Sequence, residues 1–253
     1  MHGHTREIVA TDISKCKQIV ATSSMDKTTR LFSTITGQTL KILRGHTGEV
    51  IANQFHDNGF NIITGSFDGT IRIWDTRVPN CISTLSEHSA ELSMICYDFD
   101  CNTIASGSLD STAKIWDART NTSRCTIAGH TDEILYISFD RMGRRLATAS
   151  SDCTACIWNV DNGELICPMI GHSEEVSKVY WEPSGKHLLT ASHDHSSMIW
   201  NTETGDCIKK LVNHTDQVFS IEMSYFGDKI FTASKDNTCC IWKKCSVKKN
   251  VDL

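Results

Sequence analysis

The stretch TGSFDGTIRIWD, residues 64–75, places a hydroxyl (Thr64), a carboxylate (Asp68) and an indole (Trp74) close together in sequence, with His46 upstream. Hydroxyl, imidazole and carboxylate are the parts of a hydrolase triad, and also those of a structural hydrogen-bond network. A triad is recognised by geometry and role rather than by residue type. The flanking sequence favours structure. FNIITGS (60–66) and TIRIW (70–74) are short, rich in β-branched residues and separated by an Asp-Gly turn, which predicts a β-hairpin. VIANQF (50–55) before it and CISTL (81–85) after it supply two more strands, so the unit is a four-stranded antiparallel sheet.

The same parts recur with one period. Histidines stand at His4, His46, His88, His130, His172 and His214, a spacing of 42 each time. Asp26, Asp68, Asp110, Asp152, Asp194 and Asp236 keep step, preceded by four residues by Thr22, Thr64, Ser106, Thr148, Thr190 and Thr232. Six residues after each aspartate comes an aromatic: Phe32, Trp74, Trp116, Trp158, Trp200 and Trp242. An enzyme needs one triad; six copies in register predict six structural units. A period of about 40–45 residues with four strands is the signature of a propeller blade. The expected architecture is all-β, a single propeller domain over 1–253 with six recognisable four-stranded units at about 1–42, 43–84, 85–126, 127–168, 169–210 and 211–253.

Composition narrows the function classes. With 40% apolar residues, 22% charged residues and a net charge of −5, the chain reads as a soluble globular protein without the basic footprint that nucleic acid or an anionic membrane would require. No apolar run approaches the roughly 18 residues of a membrane span, so no membrane insertion is expected. Twelve cysteines without a leading signal segment suggest a reduced, cytoplasmic setting. Cys153 and Cys156 form a Cys-x-x-Cys with no second pair at zinc-ribbon spacing and are read as structural. His193 and His195 flank Asp194 like a metal site, but that aspartate belongs to the repeat, so no metal is assigned. With no phosphate loop and no nucleophile elbow, no cofactor and no catalytic residue are expected.

The Gly-His pairs at 3–4, 45–46, 129–130 and 171–172, together with Trp-Asp at 74–75 and 116–117, resemble the WD-repeat family over nearly the whole chain. The resemblance implies a buried network in each blade, in which the Trp74 indole donates to Thr64, Thr64 to His46, and His46 to Asp68. Departures are informative. Phe32 cannot donate to Thr22, so the first blade should be the loosest. Glu87 and Asn213 replace the glycine, and Ser33, Asn159, Asn201 and Lys243 replace the final aspartate, at turn positions where change costs little.

GHTREIVATDI (3–13), TGSFDGT (64–70), GHTDEILYISFD (129–140), RLATASSD (145–152) and TASKDNTCCIW (232–242) are similar to the last six repeats of the dynein assembly factor with WD repeat domains, an eight-repeat family. The resemblance implies a non-enzymatic adaptor in axonemal outer-arm dynein preassembly or transport and in ciliary motility. Its partners would be dynein arm components or ciliary transport machinery, in the cytoplasm, the axoneme or the basal body. A substrate receptor of a ubiquitin ligase or a signalling scaffold is the alternative on the same fold. Only 23 strands are clear. Either the tail KKCSVKKNVDL (243–253), with Val247, Val251 and Leu253, makes a poor last strand, or the ring is incomplete.

Function in a repeat protein lies in the columns that the fold leaves free. Three residues after the histidines stand Glu7, Glu49, Glu91, Glu133, Glu175 and Gln217. The resemblance places them at the start of the innermost strand, around the top mouth of the channel, as a hydrated rim or as a docking ring for a basic segment. Two residues further on stand Val9, Ile51, Ser93, Leu135, Ser177 and Phe219; just before the turn aspartates stand Met25, Phe67, Leu109, Ser151, His193 and Lys235. Met25, Phe67 and Leu109 of three consecutive units are expected to form an exposed apolar arc beside the acidic mouth, a partner surface to which Leu135 and Phe219 would add.

Overall fold

The hairpin read from residues 60–74 forms as expected: strands Asn61–Ser66 and Ile71–Asp75 pair antiparallel, opposing Thr64 to Arg72 and Ile63 to Ile73. Val50–Phe55 lies on the inner side of this pair and Cys81–Leu85 on the outer side, giving a sheet with its strands in chain order. Two irregularities recur in the pairing. The inner strand shifts register near its start, as between Val50 and Ala52, and the third strand shifts against the outer one between Ile73 and Trp74. Such bulges re-aim side chains and sharpen the twist.

The structure, a computed structural model, describes residues 2–224 and 226–243. Within them the chain forms 23 strands in six antiparallel sheets, five of four strands and a last one of three, Val218–Met223, Lys229–Ser234 and Cys239–Lys243. The 23 strands are those that the sequence made clear. The outer strand of the last sheet would follow Lys243, and Val247, Val251 and Leu253 lie outside the described residues. No helix among the described residues is long and apolar enough to cross a membrane.

The core lies between successive sheets rather than inside any one. Ala21, Leu31 and Leu43 of the first sheet pack against Phe55, Ile62 and Trp74 of the second. The opposite face of the second, through Ile63, Ile71, Ile73 and Leu85, then meets Tyr97, Ile104 and Trp116 of the third. Middle strands are thus buried on both faces, which explains why Thr103–Ser108 (TIASGS) shows no polar alternation. Small side chains there allow close approach: a Cβ on Gly107 would lie 3.0 Å from methyls of both Ile134 and Ile137.

Inner strands contact one another in chain order, Ile8–Ile13 with Val50–Phe55, then Leu92–Tyr97, Ile134–Phe139, Val176–Trp181 and Val218–Met223. Polar side chains eight residues after the histidines join these steps. Asp12 Oδ2 accepts the Phe55 N–H at 2.6 Å, and Gln54 Oε1 accepts the Tyr97 N–H at 2.7 Å. At the next step the Phe139 amide serves Cys96, whose thiol is pushed up to about 12 by burial. The series has an exposed leading face. Val50, Leu92, Ile134, Val176 and Val218 are fully buried, whereas Ile8, at the same place in the first unit, is 51% exposed.

In burial the first unit is no looser than the last. Phe32 is buried, and Thr22 keeps its histidine bond and directs a longer contact to the Arg30 carbonyl at 3.5 Å. The last sheet is the more open one: its third strand Cys239–Lys243 alternates exposed and half-buried residues, and Ile241 is 65% exposed.

Candidate functional site

Each hairpin turn is fixed by a hydrogen-bond relay. Trp74 Nε1 donates to Thr64 Oγ1 at 2.9 Å, and the indoles of Trp116, Trp158, Trp200 and Trp242 do the same to Ser106, Thr148, Thr190 and Thr232 at 2.8–3.0 Å. Those hydroxyls, with Thr22, stand 2.6–2.8 Å from Nε2 of His4, His46, His88, His130, His172 and His214. The Nδ1 atoms lie 2.7–2.9 Å from Oδ2 of Asp26, Asp68, Asp110, Asp152, Asp194 and Asp236. Proton counting fixes the order. The indole is donor only, so the hydroxyl oxygen accepts from it and gives its own proton to Nε2, and Nδ1–H then donates to the carboxylate.

Asp68 is saturated: Oδ2 also accepts the Thr47 N–H at 2.9 Å, while Oδ1 takes the N–H and the hydroxyl of Thr70 at 3.0 and 2.6 Å. Burial alone would raise its carboxyl, but bonds from His46 and Thr70 outweigh burial and hold it well below the usual range. At Asp110 burial is likewise opposed, by bonds from Thr112, His88 and the Ser89 N–H, and the carboxyl falls to about 2. For His88, burial lowers the imidazole against the pull of Asp110. Geometrically this is the hydroxyl–imidazole–carboxylate line of a hydrolase. What separates it from one is access. Thr64, Thr148 and Thr190 are fully buried, and the lone pair that would attack a substrate is occupied by the indole N–H. The glycine before the histidine serves the same packing, since a Cβ on Gly129 would lie 2.7 Å from the Trp158 ring.

Replacements of the final aspartate still bond. Asn159 and Asn201 accept the N–H two residues on, at 2.8 Å each, as Asp75 and Asp117 do at 2.8 and 2.9 Å. Residues after the turn aspartates take left-handed backbone: Lys27, Gly69, Ser111, Cys153, His195 and Asn237 have φ between 64° and 75°. Cys153 and His195 thus occupy tight-turn positions, and burial raises the Cys156 thiol to about 12. His193 pairs with Glu175 at 3.2 Å. No cluster of three or more His, Cys, Asp or Glu able to hold a metal occurs among the described residues.

The acidic column and the turn column are joined by one backbone bond in every unit. The N–H groups of Met25, Phe67, Leu109, Ser151, His193 and Lys235 donate to the carbonyls of Glu7, Glu49, Glu91, Glu133, Glu175 and Gln217 at 2.9–3.0 Å. All twelve residues therefore lie on the hairpin-turn face. A cavity of about 520 Å³ between the first two sheets gathers Thr5, Arg6, Glu7, Met25, Glu49 and Phe67. Phe67 is 38% exposed, whereas Met25 and Leu109 are half-buried, so the arc is less exposed than expected. Leu135 is half-buried, and Phe219 is exposed with its ring edge-on to His193 at 5.5 Å. Glu91 and Glu133 are exposed and lie outside the cavity. Among the described residues Glu7, Glu91 and Glu133 have no ion-pair partner, while Glu49 pairs with Arg6 at 3.1 Å.

A feature missed in the sequence is the opposite mouth. There a cavity of about 510 Å³ is lined by the ends of the first four inner strands, including Asp12, Asn53, Gln54 and Cys96, with Phe99 at its rim. The available signal was the row of polar residues at Asp12, Gln54 and Ser138 inside strands otherwise expected to be apolar.

Six sheets stacked face to face, each turn closed by the same hydroxyl–histidine–aspartate relay and five of the six by an indole as well, define a repeat protein of the β-propeller class. The family model "WD domain, G-beta repeat" matches at residues 1–33, 37–75, 79–117, 121–159, 163–201 and 205–243, and the chain belongs to the WD-repeat family. Each match from the second on begins with the outer strand of one sheet and ends with the third strand of the next, so repeat and sheet are offset by one strand. Members of this family are in general non-catalytic scaffolds that bind other proteins. No curated protein matches the chain.

Proposed function

We propose that the protein is a non-enzymatic adaptor that captures a basic, partly apolar segment of a partner protein on its hairpin-turn face. The carrying observation is the repeated backbone bond, as between Phe67 and Glu49, which sets carboxylates beside apolar side chains. Carboxylates draw in a cationic segment and govern its on-rate, while buried apolar contact governs how long it stays. Resemblance to the dynein assembly factor supports the finer reading: an adaptor in outer-arm dynein preassembly or transport, acting in the cytoplasm and at the axoneme or basal body.

Affinity purification with mass spectrometry from ciliated cells tests both levels, comparing the native chain with a Glu91→Lys/Glu133→Lys variant of unchanged melting curve. Dynein arm components or ciliary transport proteins should be enriched by the native chain and depleted by the variant. Enrichment of ubiquitin-ligase subunits instead would transfer the finer reading to the alternative. Equal recovery with both chains would overturn the assignment of the face.

A further inference from the structure

The cavity between the first two sheets already holds a guanidinium, the chain's own. Arg6 Nη1 donates to Glu49 Oε1 at 3.1 Å and reaches the Met25 carbonyl at 3.4 Å. Two residues after the histidines the other units carry Gly48, Ala90, Asp132, Glu174 and Asp216, so Arg6 is the one cation of its column. It is held loosely: its side chain is 58% exposed, and a single nitrogen makes both contacts. Around it the cavity offers a second carboxylate, Glu7, and apolar walls from Met25 and Phe67. That lining suits a side chain with an aliphatic stem and a planar, forked cationic head, which binds carboxylates most firmly through two nitrogens.

We infer that this cavity is an arginine-reading subsite and that Arg6 is its built-in competitor, raising the threshold for an arginine supplied by a partner. The inference rests on the proposed docking face and names the side chain recognised there. An exposed ion pair of this kind is worth up to about 1 kcal/mol, so its removal should tighten binding of an incoming arginine by up to about fivefold.

The probe is the peptide acetyl-Gly-Arg-Gly-Leu-amide, with citrulline in place of arginine as its uncharged control, titrated against the native chain, Arg6→Gln and Glu49→Gln by NMR. Arg6→Gln should bind the arginine peptide several-fold tighter and Glu49→Gln weaker, with shifts centred on Met25 and Phe67, while the citrulline peptide binds none of the three. Equal or weaker binding by Arg6→Gln, or equal binding of the citrulline peptide, would overturn the inference. Thermal melts of both variants separate loss of fold from loss of the subsite. Failure here with Glu91→Lys/Glu133→Lys still releasing the cellular partner removes only the subsite. Tightening here with partner recovery unchanged removes the docking face and keeps the subsite.

Discussion

The N–H of Phe67 donates to the carbonyl of Glu49 at 2.9 Å, so an apolar side chain and a carboxylate far apart in sequence share one edge of the turn face. The bond belongs to the fold and recurs in all six units, but the side chains it presents differ from unit to unit. Structure fixes the positions, and the identities at those positions are free to select a partner.

The relay beneath that face is expected to behave as structure. His130→Ala leaves the Asp152 carboxylate and the buried Thr148 hydroxyl short of a partner each. An orphaned buried polar group costs about 1–3 kcal/mol, and calorimetry or urea titration should read a loss of that size. An unchanged midpoint would exclude a structural role for the network.

Acid should unfold the protein through the same groups. The Asp26 and Asp110 carboxyls lie at about 2, and Asp68 and Asp194 are also held low. A carboxyl that binds its proton less readily in the folded chain than in the unfolded chain makes protonation favour unfolding. Its contribution is complete above the ordinary carboxylate range and is lost as pH falls from about 4–5 toward 2. Melting temperature should therefore drop steeply in that window, and Asp110→Asn should make the drop shallower. A flat profile down to pH 2 would contradict the relay's charge state.

The left-handed turn positions predict a gain. Ser111 at φ 65° occupies a conformation that costs a residue with a Cβ about 1–2 kcal/mol, partly offset by the entropy of glycine. Ser111→Gly should stabilise by up to about 1 kcal/mol, a rise of roughly 2–4 °C in Tm for a chain of this size. Gly69→Ala should do the reverse, because φ is 75° and its Cβ would lie 3.0 Å from the Ala90 carbonyl oxygen.

Period and turn chemistry carried most of the fold in the sequence. The Thr64, Asp68 and Trp74 spacing repeats because each relay member must fall on a fixed strand, so the units could be read without coordinates. Two things were not legible. The side-chain bonds from Asp12 to Phe55 and from Gln54 to Tyr97 join different units, and only geometry reveals that inner strands lie side by side. Met25 and Leu109 are half-buried, which column position alone does not encode.

The central claim is that charge and apolar surface on the turn face divide the work of binding. The most direct test is the association and dissociation kinetics of the recovered partner, measured by surface plasmon resonance across salt concentrations. Glu91→Lys/Glu133→Lys should slow association strongly at low salt, with the difference from the native chain shrinking as the Debye length falls from about 10 Å at 0.1 M to about 3 Å at 1 M. Phe67→Ala should speed dissociation at every salt concentration and leave association nearly unchanged. If neither variant changes either rate while both melt like the native chain, the partner binds elsewhere and the account of this face is wrong.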